Sequence, residues 1–201
     1  MPTWDERFRT GAYPSDPAPS PVLRNYIDEI PGGRALDVAT GTGRNALFLL
    51  EAGYAVDAVD QSRVGLELTR EQARNAGLDG RLQPIQADVP SYGFATERYA
   101  LVTISFYRAI DRLADIIEAL EPGGYLFMEH HLRSTRVTPS GPNSDRYRYA
   151  ANELLRASLG LTVLYYDETS HENDDGDRRA TGRVLARRSA EPRQAYPRRP
   201  D

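Results

Sequence analysis

The chain has no cysteine and no lysine. Without cysteine there is no disulfide, no thiolate metal site and no cysteine nucleophile. Without lysine there is no Schiff-base chemistry and no P-loop lysine, and all 25 basic residues are arginines. No run of about 18 apolar residues could span a bilayer, and the opening text MPTWDERFRTGAYP lacks the apolar stretch of a secretory signal. The three histidines, His130, His131 and His171, have no zinc-ligand spacing. These absences predict a cytoplasmic protein with no metal and no membrane partner. Residues 187–201 carry five arginines against one Glu and one Asp, so with a net charge of −4 the rest of the chain stands at −7. An acidic body argues against nucleic acid as a partner.

What is present is an alternation of strand and helix. At 201 residues the chain suits one domain with a sizeable core, expected over 1–188, with 189–201 a basic, disordered tail rich in Pro and Arg. A first helix is expected over 20–30, with Ser20 as N-cap and Pro21 at the first helical position. Strand 35–39, helix 44–52, strand 54–60 and helix 62–77 follow, the last capped by Ser62. Strand 81–88 contains Pro84, which suits a sheet edge. Strand 99–106, helix 109–124 and strand 125–130 complete a pattern of parallel strands with helices on both faces, whose ligands bind at the carboxyl ends of the strands. The pattern breaks at the end. After a helix over 148–159, strands 161–168 and 180–188 follow with only the turn TSHENDDGD between them, so the last strand should be antiparallel.

The text RALDVATGTGRNALFLL, residues 34–50, places a glycine turn between strand and helix. Gly41 and Gly43 fit a dinucleotide fingerprint, and Asp60, 19 residues after Gly41, stands where a ribose-binding acid belongs. Three features oppose a nicotinamide cofactor: Asp37 inside the strand beneath the turn, Asp88 at the end of the third strand, and the terminal hairpin. A buried carboxylate needs a partner, and no pyrophosphate favours a negative charge below it. A cofactor with a cationic end, an adenosine and no phosphate fits all three, which is the chemistry of S-adenosylmethionine.

The segments WDERF, ALDVATGTGRNALFLLEAGYAVDAVDQS, LEPGGYLFMEHH and GPNSDRYRYAANELL leading into GLTVLYYDE resemble class I S-adenosylmethionine-dependent methyltransferases. The similarity is to the small tellurite-resistance and thiopurine type and covers nearly everything from residue 4 to 188. It implies a Rossmann-like, mostly parallel seven-stranded α/β sheet, order 3-2-1-4-5-7-6 with the last strand antiparallel. It also implies S-adenosylmethionine as cofactor, S-adenosylhomocysteine as product, and an N-terminal lid, here 1–18. The chain departs from the pattern at Ala39, where the family has glycine, and at Thr40, often cysteine there. Alanine is tolerable at 39 only if the backbone is ordinary.

Several residues become candidates. For the cofactor these are Asp37, Ala39, Thr40, Gly41 and Gly43 in the turn. Arg44 and Asn45 stand toward the methionine end, Asp60, Gln61 and Ser62 at the ribose, Asp88 and Val89 at the adenine, and Phe106 near the methyl. With Ser62 capping the helix, Asp60 is left free for the ribose. Trp4 and Arg7 belong to the lid by resemblance, with Phe8 and Tyr13 beside them. For chemistry, Arg108 opens a helix with the wrong charge for its dipole and could orient an anionic acceptor, although an exposed arginine reads equally well. Glu129 matches an acid that the resemblance places there, and His130 or His131 could serve as general base. Adjacent strand residues face opposite ways, so one histidine of the pair is expected at the site. Tyr147 and Tyr149 could line an acceptor pocket or simply be core or surface residues. The expected reaction is direct in-line methyl transfer to a small acceptor, tellurite, selenite or a thiol among the options. The sequence after the fourth strand, SFYRA, lacks the Asn/Asp-Pro-Pro-aromatic text of nucleic-acid amino-methyltransferases. A cofactor-binding module without catalysis and a nicotinamide oxidoreductase remain as alternatives.

Overall fold

A computed structural model describes residues 3–11, 13, 18–135, 141–172, 178–189 and 192–198. The residues 173–177 at the hairpin turn, and parts of the expected lid and tail, lie outside the described residues. Seven strands form one sheet in the order β3-β2-β1-β4-β5-β7-β6. They are β1 Arg34–Val38, β2 Ala55–Asp60, β3 Leu82–Gln86, β4 Tyr99–Ser105, β5 Leu120–His131, β6 Thr162–Glu172 and β7 Arg178–Arg187. The first five pair in parallel, while β7 runs antiparallel to both β5 and β6. The order is the one the family resemblance implies, and the reversed hairpin is the one read from the residues.

The helices are α1 Trp4–Arg9, α2 Pro21–Tyr26, α3 Arg44–Glu51, α4 Arg63–Asn75, α5 Leu113–Ala119 and α6 Glu153–Ala157. Strand alternation sends Leu36, Val38, Val102, Leu126, Met128 and Val184 to one face, where α5 and α6 pack through Leu113, Ile116 and Leu154. Ala35, Val56, Ala58, Leu101, Phe127 and Leu185 point to the other, under α2, α3 and α4. Pro84 lies on β3, an edge strand, where its missing N–H costs least.

Boundaries depart from the sequence reading in several places, among them the turn expected over 169–177, into which β6 runs as far as Glu172 and from which β7 starts at Arg178. The helix expected over 109–124 is a 3₁₀ turn at Ile110–Arg112 followed by α5, and β5 already starts at Leu120. The helix expected over 148–159 is only Glu153–Ala157, because Asn152 enters it with φ +60°. Ser20 stands at the head of α2 but makes no capping bond, and among the described residues its buried hydroxyl has no partner. An unexpected helix, α1, is opened by a reciprocal capping box in which Thr3 and Glu6 bond each other's backbone.

Asp57, an acid inside β2, does not belong to the carboxyl-end cleft. Its carboxylate is buried and takes bonds from Arg34 and, at 3.0 Å, the Tyr99 hydroxyl, with Arg98 at 3.5 Å. These groups border a cavity of about 360 Å³ on the β2–β3 side of the sheet.

Candidate active site

The carboxyl ends of β1, β2, β4 and β5 converge on the glycine turn. Asp37 is 2% exposed, and its two oxygens accept from the hydroxyls of Thr103, at 2.6 Å, and Thr40. Burial pushes its carboxyl up to about 6, against the opposing bonds from Thr103, Thr40 and the Ala46 N–H. Thr40 therefore serves the carboxylate beneath the turn. Gly41 and Gly43 have φ of +59° and +92°, so both use the left-handed backbone that glycine permits.

Ala39 has φ +56°. The backbone there is not ordinary, and the alanine sits in a strained conformation where the related pattern has glycine. Phe106, just after β4, is also left-handed at φ +57°. Both outliers flank the same cleft.

The expectation that Ser62 leaves Asp60 free is corrected. Ser62 does cap α4, accepting from the Gly65 N–H at 3.1 Å. Asp60 is nevertheless engaged: it accepts the Gly41 N–H at 2.8 Å and the Ser62 N–H at 2.7 Å. It thereby ties the glycine turn to the start of α4. Burial raises its carboxyl above the ordinary value, with those two N–H bonds opposing. Each oxygen retains a further lone pair for a ligand hydroxyl. Gln61 and Asp88 are exposed nearby, and Val89 is buried at the head of a 3₁₀ turn.

Helix α1 packs against α4. Its Asp5 accepts from the Ser62 hydroxyl and, at 3.3 Å, from the Val64 N–H. The Ser62 bond comes first in holding the Asp5 carboxyl below its usual range. Phe8 lies against Gly41 and Gly65. Trp4 stacks on Phe8 at 5.6 Å, carries the Arg7 guanidinium over its ring and is 39% exposed. Trp4 and Arg7 thus contact each other and sit on the rim of this packing. A Cβ on Gly65 would lie 2.6 Å from the Gly41 carbonyl oxygen and 3.1 Å from the Phe8 ring. Gly65→Ala should cost about 1–3 kcal/mol in denaturant unfolding, because backbone rather than a flexible side chain must yield.

At the β5 end the geometry reassigns roles. Glu129 is buried and bound at both oxygens, by Arg44 at 2.9 Å and Arg183 at 2.8 Å. Arg183 also reaches Asp167 at 3.1 Å. Glu129 is therefore the centre of an ion network, not a free acid or base. Arg44 additionally donates to the Ala18 carbonyl at 2.8 Å and lies over the Phe106 ring. Arg108 pairs with Glu153 and lies over Tyr149, so its charge is already met within the protein. Asn45 donates to the Ser105 hydroxyl at 2.9 Å, while its buried Oδ1 has no partner among the described residues.

The two histidines separate. His130 turns to the α5 face beside Tyr149, with its Nδ1 3.1 Å from the His131 carbonyl. Burial pushes it down to about 4. His131 turns to the α3 face, its ring 4.8 Å from that of Phe106, and burial, then His130, push it down to about 3. Tyr147 is exposed and Tyr149 buried. Arg183, Thr181 and Asp167 were not found from sequence; only the hairpin topology brings them to β5.

Residues 35–124 match the family described as methyltransferase domain. A ribosomal protein L11 methyltransferase of Sorangium cellulosum is 33% identical over 133 residues, 64% of this chain and 41% of that protein. A ubiquinone/menaquinone biosynthesis C-methyltransferase UbiE of Dinoroseobacter shibae is 35% identical over 102 residues, 47% of this chain and 41% of that protein. The chain thus spans less than half the length of these curated relatives. The structure of TehB from Haemophilus influenzae superposes with a TM-score of 0.74 at 20% identity, covering 92% of this chain and 66% of that one. The likeness to class I methyltransferases read from the sequence is supported by family match, relatives and fold together.

Proposed function

With a class I methyltransferase fold as the premise, we propose that this chain transfers a methyl group from S-adenosylmethionine to a small-molecule acceptor. The observation that carries the reading is Asp37, a buried carboxylate beneath the glycine turn. A dinucleotide would bring phosphates over this charge, whereas a sulfonium and an ammonium are favoured by it. The other residues fit the same ligand. The unpaired Asn45 Oδ1 offers an acceptor to an ammonium. Asp60 has lone pairs for two ribose hydroxyls, and Asp88 and Val89 lie at the adenine end. Trp4 and Arg7, on α1, form part of the lid, and Gln61 lines its edge.

S-adenosylmethionine supplies an electrophilic methyl on sulfur and leaves as S-adenosylhomocysteine. The protein's part is orientation, exclusion of water and charge complementarity. Phe106 and His131 stand where β4 and β5 end, and Arg44 is held over Phe106 by Glu129. The buried polar groups at the end of β5 suit a small acceptor rather than a polymer. No helix among the described residues is long and apolar enough to cross a membrane.

Cofactor affinity should depend on pH through Asp37. Its folded value of about 6 exceeds the unfolded one, so it stabilises the free protein in acid, and that contribution is lost as pH rises through 6. The bound cation prefers the ionised form. Affinity for S-adenosylmethionine should therefore be highest near pH 7 and fall by up to ~10-fold per pH unit below 6. Calorimetric titration across pH 5–8 checks this.

A binding module without turnover is favoured by one feature: Arg108 and Glu129 are both committed to ion pairs. Incubation with methyl-labelled S-adenosylmethionine and a panel of tellurite, selenite, thiols, phenols, amines and small acids separates the two. Labelled product supports the enzyme; tight binding with no product across the panel supports the module.

A further inference from the structure

Buried polar side-chain atoms are normally hydrogen-bonded. Among the described residues, His131 Nδ1 and Thr181 Oγ1 are buried without a partner. The two residues stand directly opposite each other in the β5–β7 register. Alternation puts His131 on the same face as Glu129, and Thr181 on the same face as Arg183, and the Glu129–Arg183 ion pair shows that these faces coincide. His131 and Thr181 are 7% and 1% exposed, yet neither satisfies the other.

The imidazole is held by contacts that leave this nitrogen unspent. Phe106 packs on its ring, and a Cβ on Gly141 would come within 2.8 Å of three of its atoms. His130 differs in having a polar neighbour at its Nδ1. On the His131 face Arg44 and Arg183 pair with Glu129 and Asp167, while burial and the positive charges of Arg148 and Arg179 disfavour a protonated ring.

We propose that His131 and Thr181 form the recognition subsite for the methyl acceptor, and that the acceptor is a neutral oxygen or nitrogen nucleophile bearing a proton. His131 Nδ1 accepts the hydrogen bond from its O–H or N–H, and the Thr181 hydroxyl makes the second bond; as the acceptor's new bond to the methyl carbon forms and the sulfur–carbon bond breaks, S-adenosylhomocysteine leaves and the acceptor's proton passes by way of His131 to solvent. The assignment rests on the methyl-transfer reading and narrows it: with the ring proton on Nε2, Nδ1 presents a lone pair that a thiolate or a fully ionised oxyanion cannot serve.

Thr181→Val keeps the shape of the side chain and removes the unmet hydroxyl. Relief of that cost should raise the melting temperature of the ligand-free protein by about 2–4 °C, with Thr181→Ser staying near wild type. Turnover is read with phenol, aniline and thiophenol as probes. Transfer to phenol or aniline should fall at least 10-fold in kcat/KM in Thr181→Val and in His131→Leu, with S-adenosylhomocysteine affinity within twofold of wild type. A lower melting temperature in Thr181→Val, restored by Thr181→Ser, would show a structural hydroxyl and overturn the proposal. So would transfer to thiophenol alone, undiminished in the variants. If none of the probes is methylated, the melting shift decides. Failure of wild type to bind S-adenosylhomocysteine strikes the methyl-transfer reading instead, and the melting shift still decides whether Thr181 is unspent.

Discussion

Asp60→Ala should weaken S-adenosylhomocysteine binding by ~100-fold or more. Asp60 ties the glycine turn to the start of α4 and, in the proposed complex, to the ligand. Its carboxylate accepts from the Gly41 and Ser62 N–H groups, and in the proposed complex it also receives the ribose hydroxyls. Hydrogen bonds to a charged group contribute about 1.5–3 kcal/mol each, so losing two removes about 3 kcal/mol or more, which is ~100-fold in affinity. The variant also frees the glycine turn from the start of α4, so the loss should exceed that for Asp88→Ala, an exposed position. Calorimetry on both variants reads the difference. Unchanged affinity in Asp60→Ala would remove the residue from the site.

Glu129→Gln should lower stability by about 3–5 kcal/mol, the cost of breaking a buried ion pair from one side. For a chain of this size that is roughly 6–20 °C in melting temperature, at about 2–4 °C for each kcal/mol. The substituted amide keeps the shape but leaves Arg44 without its carboxylate, while Arg183 keeps only Asp167. If charge rather than shape is responsible, adding Arg44→Met to Glu129→Gln should recover part of the loss. A Glu129→Gln protein that melts like wild type but loses turnover would instead return Glu129 to the chemistry.

Much of this fold was legible because its signals are local. Alternating apolar strands and helices, the glycine turn and the absence of a helix between the last two strands gave the sheet and its reversed end. Asp37 was informative because a charge inside an apolar strand must be answered by something nearby, and Thr40 and Thr103 answer it. The capping box at Thr3 and Glu6 is equally local, but the helix it opens is only six residues long and carries no apolar period to announce it.

The site's inner partners were not legible, and for a physical reason. Glu129 meets Arg44 from 85 positions away and Arg183 from 54. No spacing rule connects them; only the sheet order and the antiparallel register do. Ala39 shows a different gap: the sequence identified the position as sensitive, but its φ is fixed by the whole turn. The histidine pair lay between these cases. Strand alternation said that one would face the cleft, and the neighbours Phe106 and Tyr149 decide which.

Direct titration of the wild-type protein with S-adenosylhomocysteine and, separately, with NADH tests the central claim most directly. Binding of S-adenosylhomocysteine at one site per chain, weakening below pH 6, with no heat from NADH, is the predicted result. Saturable binding of NADH with none of S-adenosylhomocysteine would contradict the account, because Asp37 would then lie beneath a phosphate.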